Sequence, residues 1–207
     1  MLAKSGQEQY PNADNSSGPN SLTITDWTTD AAVSSVSGLT LISGGGGFVQ
    51  VANGGAAYGD GDDVYINWNH NQNPAAAKGY SFQFTLSQPV ELTNLVVRSE
   101  HANASGGAQV FDSTLNYTLV GGVVNLSGSQ ATNTAGSSYN NHTFGGVSGT
   151  TLATGTYTLS VFQDNFVGGG SYAVYDGLTL EGDVVPEPSS LALLGLGGVF
   201  VARRRRG

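Results

Sequence analysis

The sequence predicts an all-β protein, an antiparallel β-sandwich followed by a short C-terminal transmembrane helix. Three observations predict it. Short runs alternate apolar and polar residues, clusters of Gly, Asn and Pro separate those runs, and helical periodicity is nearly absent up to about Asp183. The chain then ends in an uncharged apolar run and four arginines, Arg203 to Arg206.

Residues 1–20 are polar, contain Pro11 and Pro19, and are expected to lack fixed structure. The β-domain is expected over 21–183. Its early strands are Leu22 to Thr25, Leu39 to Ile42, Phe48 to Val51 and Val64 to Trp68. The clearest strand is Tyr80 to Leu86. Tyr80, Phe82, Phe84 and Leu86 share one face, while Ser81, Gln83 and Thr85 share the other. Pro89 closes it, and Leu92 to Val97 follows, with Arg98 at its end. Leu115 to Leu119 alternates, Gly121-Gly122 signals a turn, and Val123 to Leu126 returns. Thr156 to Phe162 and Tyr172 to Leu180 complete about nine strands, enough for two packed sheets. The stretches 43–47, 52–63, 101–107 and 127–141 read as long polar loops. Such loops carry the binding surfaces of many sandwiches, although tolerated surface excursions explain them equally simply.

The segments "GYSFQFTLSQPVELTNLVV", "LATGTYTLSVFQDN" and "SYAVYDGLTLEG" resemble, in order, the jelly-roll β-sandwiches of galactose-binding-like and carbohydrate-binding modules. The resemblance covers roughly residues 58–182. It implies a jelly-roll-like fold and, more weakly, a sugar ligand.

The tail, residues 184–207, has three parts. Val185-Pro186-Glu187-Pro188 cannot be helix interior, because each proline removes a donor and pushes its predecessor toward extended geometry. It is a stiff, exposed strip open to a protease. Ser189 or Ser190 can cap a helix. The apolar helix spans 189–202, with Leu191, Leu193, Leu194, Leu196, Val199, Phe200 and Val201 as its membrane segment. Fourteen residues make about 21 Å of helix, against a hydrocarbon core of ~30 Å. Gly195, Gly197 and Gly198 weaken it further. Arg203, Arg204, Arg205 and Arg206 form a basic stop that stays cytoplasmic, leaving the body across the membrane. A cleavable strip, a weak span and a basic stop together read as a temporary tether.

These parts closely resemble the PEP-CTERM sorting signal of Gram-negative bacteria. Pro186, Glu187 and Pro188 match its motif, the apolar run its span, and the arginines its basic end. The resemblance implies export, recognition by the membrane enzyme exosortase, and removal of the tail. It places the body at the cell surface or in the extracellular matrix after a transient stay at the inner membrane, in association with exopolysaccharide and biofilm. Such proteins normally begin with a signal peptide. "MLAKSGQEQYPNADNSSGPN" has no apolar h-region, so a truncated or mis-started N-terminus is expected, the other reading being that the tail is no export signal.

Charge divides along the chain. Residues 1–183 hold fourteen of the fifteen carboxylates and three bases, Lys4, Lys78 and Arg98, for a net −11. Phosphate backbones would repel such a body, so nucleic acid is excluded as a partner, whereas cations and neutral polymers remain. Only 11% of residues are charged, against about 25% in ordinary domains, and Asn, Ser and Thr supply the polarity. There is no cysteine, so neither disulfides nor thiol chemistry contribute.

No catalytic constellation emerges. His70, His101 and His142 lack metal-ligand spacing, and no serine sits in a complete G-x-S-x-G elbow. Glu91, Glu100 and Glu181 offer a glycoside hydrolase-type pair only if the fold brings two of them around a sugar. A structural calcium site is the candidate metal centre: Asp60, Asp62 and Asp63 put three carboxylates in four residues. Strict alternation would place Asp176 among Tyr172, Val174, Leu178 and Leu180, where a lone carboxylate is costly. The resembled class often joins an early loop to its final strand through calcium. A solvated acidic turn, with a bulge at Gly177 turning Asp176 outward, is the more economical alternative. For glycan contact the candidates are Trp27, Tyr58, Tyr139 and Tyr175, with Trp68 assigned to the core. The functional expectation is a non-enzymatic, exported, exopolysaccharide-associated protein. Its rivals are a carbohydrate-binding module with a defined glycan site and a hydrolase.

Overall fold

The computed structural model describes residues 2–4, 21–22, 27–37, 39–43, 77–103, 112–133, 140–167 and 171–186. These residues are all-β and antiparallel, apart from a single 3-10 turn at Gly145–Val147. The strands in chain order are β1 (Leu2–Lys4), β2 (Ser21–Leu22), β3 (Trp27–Thr29), β4 (Val33–Val36), β5 (Leu39–Ser43), β6 (Lys78–Leu86) and β7 (Val90–Asn103). There follow β8 (Asp112–Gly121), β9 (Val124–Asn133), β10 (Asn140–Thr143), β11 (Thr151–Leu152), β12 (Gly155–Val167) and β13 (Ser171–Val184). Among the described residues one sheet runs β10-β7-β13-β1-β3, with β11 also on β7. The other runs β2-β5-β6-β12-β8-β9, with β4 also on β6.

Alternation builds the core. Tyr80, Phe82, Phe84 and Leu86 point inward from β6, as do Tyr157, Leu159 and Val161 from β12 and Leu115, Tyr117 and Leu119 from β8. They meet Leu92, Leu95, Val97, Leu178 and Leu180 of the opposite sheet in one continuous cluster. Fully burying one such side chain stabilises the fold by roughly 1.5–3 kcal/mol. Tyr80 meets Tyr175 edge-on across the two sheets, with ring centroids 5.3 Å apart. The β8–β9 turn uses Gly122 at φ 57°, a conformation that glycine adopts without strain.

Several elements depart from the sequence expectation. Leu2–Lys4 forms a strand on β13 inside the stretch expected to lack structure. The stretch 127–141 is not one loop: residues 127–133 belong to β9 and 140–141 to β10. β9 reads as polar, yet it pairs with β8 in unbroken register from Asp112↔Asn133 to Gly121↔Val124. Ladder pairing, not apolar alternation, makes it a strand. Residues 101–103 likewise extend β7. The expected strands Phe48 to Val51 and Val64 to Trp68, and the helix 189–202, lie outside the described residues. Among the described residues no helix is long and apolar enough to cross a membrane.

Candidate functional site

The two ends of the sandwich are unlike. β6 begins at Lys78, in register with Gln163 of β12 and Ser43 of β5. β8 begins at Asp112, opposite Asn133 and Val167, and β13 begins at Ser171, opposite Asn103. The chain therefore leaves and re-enters the sheets at this one end for 44–76, 104–111, 134–139 and 168–170. At the other end are the tight turns 87–89, 122–123 and 153–154, and the exit of the last strand.

Among the described residues all five buried polar ones, Lys78, Ser99, Ser113, Thr132 and Gln163, lie under the first end. Ser113 donates to Gln163 Oε1 at 2.9 Å. The Thr132 hydroxyl then supplies the proton for its 2.6 Å contact with Ser113 Oγ, and it also lies 3.2 Å from the Ser113 carbonyl. Tyr175 donates to the Lys78 carbonyl at 2.7 Å and so ties β13 to β6 between the sheets. Burial pushes the Tyr80 and Tyr175 phenols above their ordinary value.

Lys78 itself is 4% exposed. Among the described residues its ammonium has no hydrogen-bond partner, and it sits 4.9 Å from the centre of the Phe166 ring. Loss of water pulls its pKa down to about 8. The ring reaches it through a bulge. The β12 register breaks between Asp164 and Val167, Asn165 turns at φ 54°, and Phe166 swings inward. Asp164 Oδ1 pins this bend by accepting from Asn116 Nδ2 at 3.1 Å and from Asn165 Nδ2 at 2.8 Å.

A second feature lies on the outer face of the β6-β12-β8-β9 sheet. Cross-strand hydroxyls and amides meet there: Thr85 and Thr156 at 3.0 Å, and Gln83 Nε2 donating to Thr158 Oγ1 at 3.4 Å. Between β8, β9 and β12 is a shallow open groove of about 330 Å³, lined by Asn116, Tyr117, Thr118, Ser127, Gly128, Ser129 and Phe162. It offers hydroxyls, an amide and a half-buried ring, with no charged side chain in the lining. That chemistry suits hydrogen bonding and ring stacking with a neutral polyol.

The expected site residues scatter. Tyr58, Tyr139, Asp60, Asp62 and Asp63 lie outside the described residues. Trp27 falls in the three-residue strand β3. Tyr175 is corrected: it is 3% exposed in the core and cannot be a glycan platform. The cause is a bulge in β13. Tyr175 pairs with Ser99 and Gly177 with Arg98, leaving Asp176 without a partner on β7. Tyr175 takes the inward place, and the phase that grouped Asp176 with Leu178 and Leu180 is reset. Among the described residues no cluster of three His, Asp or Glu could hold a metal. Glu91 and Glu181 are exposed near the tail exit. Glu100 is nine residues along β7 from Glu91, roughly 30 Å away. These two cannot flank one sugar bond. The groove and the Lys78 cluster escaped sequence reading. Both need strand register, and only the "QDN" turn at 163–165 hints at either.

Residues 184–206 match the family model of the PEP-CTERM protein-sorting motif. The chain carries this motif, which indicates an exported protein and implies processing by exosortase. No curated protein matches the chain. One solved structure, "Structure of TmCBM61 in complex with beta-1,4-galactotriose", is 17% identical and covers 57% of this chain and 81% of its own. Its TM-score of 0.31 is too low to bear on fold or ligand.

Proposed function

We propose that the protein is a non-enzymatic, exopolysaccharide-associated component of the cell surface or biofilm matrix of a Gram-negative bacterium. The tail holds it briefly at the inner membrane until exosortase cuts near Pro186-Glu187-Pro188. The observation that carries this reading is the match of residues 184–206 to the PEP-CTERM protein-sorting motif. The body supports it. The last backbone bond, Val185 N–H to the Pro89 carbonyl at 2.9 Å, directly precedes exposed Pro186. The motif thus begins where the sandwich ends. The tail leaves opposite the long connections, so a tethered body turns its polar end away from the membrane. A jelly-roll-like description fits the connections, since β6–β7, β7–β8, β9–β10, β11–β12 and β12–β13 all pass between sheets.

Mass spectrometry of the mature protein from its native cells tests the sorting. The expected C-terminus lies within the tail, without Arg203 to Arg206. A variant with Pro186, Glu187 and Pro188 all changed to Ala should keep its arginines and stay in the membrane fraction. Arginines retained on a cytosolic wild-type body would overturn the reading.

A carbohydrate-binding module with a defined glycan site is the second reading, favoured by the groove around Phe162. Affinity electrophoresis on neutral polysaccharides separates the two. A defined site saturates and weakens at least about tenfold in Phe162→Ala, whereas a matrix filler shows neither effect. Structural calcium at Asp60, Asp62, Asp63 and Asp176 is a further proposal. It requires a chelator to lower the melting midpoint of the wild type but not of Asp62→Ala.

A further inference from the structure

The sheet edges are not equivalent. Among the described residues β2, β3, β10 and β11 span two to four residues each. β9 spans ten, pairs on one side with β8, and nothing described covers its other side. A long bare edge presents a row of unpaired N–H and C=O groups, which proteins ordinarily blunt with lysine, proline or a cover. β9 carries none of these devices. Its sequence, VNLSGSQATN, has no charged residue and no proline.

The apolar side of this edge is also unfinished. Val124 and Leu126 pack only partly against the core. Val123, at the adjoining turn, is fully exposed at 103%. A strand added here would cover them.

We propose that β9 is a self-association edge whose partner is β9 of a second copy of this chain. This inference does not rest on polysaccharide binding. The strand is self-complementary when paired antiparallel about Gly128, the centre of 124–132. That register sets Ser127 opposite the partner's Ser129, Leu126 opposite the partner's Gln130, and Val124 opposite the partner's Thr132. No like charges meet, so the net −11 of the body acts only at long range. Gly128 stands on the two-fold axis, where no side chain of either copy intervenes. Its Cβ position is taken on the inner side by Tyr117, 2.5 Å away. Nine paired residues give an edge of roughly 30 Å. Pairing of identical edges is isologous, so it closes at the dimer and joins two sheets into one.

The test uses the full chain in detergent and two double variants at exposed positions. In the proposed register residue 127 faces residue 129 of the partner. Ser127→Lys with Ser129→Lys therefore sets like charges against each other at both contacts, while Ser127→Lys with Ser129→Glu sets opposite charges. Sedimentation equilibrium should give twice the 21.2 kDa chain mass for the wild type. The Lys/Lys variant should dissociate at least about tenfold more readily. The Lys/Glu variant should dimerise, and unchanged thermal melting at low concentration should show that all three chains fold. A monomeric wild type, an unaffected Lys/Lys variant, or a Lys/Glu variant as weak as Lys/Lys would each overturn the proposal.

Discussion

The end of the sandwich that carries the tail is apolar and closed by short turns, while the opposite end buries polar groups among its described residues. At the tail end Phe84, Leu86, Val90, Leu119 and Leu152 are 0–2% exposed, beneath two- and three-residue turns. At the opposite end the same two sheets bury Lys78, Ser99, Ser113, Thr132 and Gln163, and four connections leave. One fold thus divides two tasks. Apolar packing at the stem holds the strands in register just where Val185 and Pro186 hand over to the sorting strip. The far end gives up apolar burial for polar groups, which cost free energy wherever a partner does not compensate them.

The largest expected effect breaks the closed end. Phe84 is 0% exposed, stacks 5.7 Å from Tyr157 and meets Phe82 at a tilt, 6.3 Å away. Short turns leave little room for the site to collapse. Phe84→Ala should therefore cost about 4 kcal/mol and lower the melting midpoint by roughly 10 °C. Urea unfolding measures it. A loss under about 1.5 kcal/mol would mean that this end is not the rigid stem described here.

Lys78 should act in the opposite direction. The folded protein holds its ammonium away from water, so the folded pKa, about 8, lies below the ordinary 10.5. Below pH 8 both states are protonated, and the folded state bears the full desolvation penalty. Between about 8 and 10.5 the unfolded chain binds more protons, so stability rises with pH. Above about 10 the trend reverses, because unfolded tyrosines ionise while buried Tyr80 and Tyr175 resist. Lys78→Met should gain about 2–3 kcal/mol at pH 7 and flatten the rise between pH 8 and 10. Urea midpoints at pH 7, 9 and 10 check both. A wild type whose stability is level from 8 to 10 would show that the ammonium is hydrated after all.

How much of this was legible follows from how local each signal is. Tyr80 to Leu86, Leu115 to Leu119 and Thr156 to Phe162 alternate cleanly because one face of each is buried, and Gly121-Gly122 marks a real turn. The tail is legible for the same reason, since its three parts are contiguous. The start of β9 shows in Val123 to Leu126, but its continuation over 127–133 is hidden because a polar edge strand has little apolar alternation to show. Its pairing with β8 is visible only in the fold. Tyr175 was misassigned because a bulge advances the phase by one residue, which alternation cannot foresee. The burial of Lys78 depends on a second bulge, at Asn165 on β12, far along the chain. The outer groove depends on three strands holding their register.

The smallest of these effects tests whether the polar end is built or merely tolerated. Tyr175 gives its hydroxyl to the Lys78 carbonyl at 2.7 Å, a hydrogen bond that links the two sheets there. Tyr175→Phe keeps the ring and its edge-on contact with Tyr80 but leaves a buried carbonyl with one partner fewer. The expected cost is about 1 kcal/mol at pH 7. A hydroxyl that only fills space would cost nothing on removal. One that clamps the sheets should also slow hydrogen exchange at Lys78 and Gln163, which face each other on β6 and β12. Exchange at those two amides should therefore quicken in Tyr175→Phe, while the amides of Leu119 and Leu152, at the closed end, keep their protection. Equal quickening at both ends would mean that the ends unfold together, and the contrast between them would then be one of composition alone.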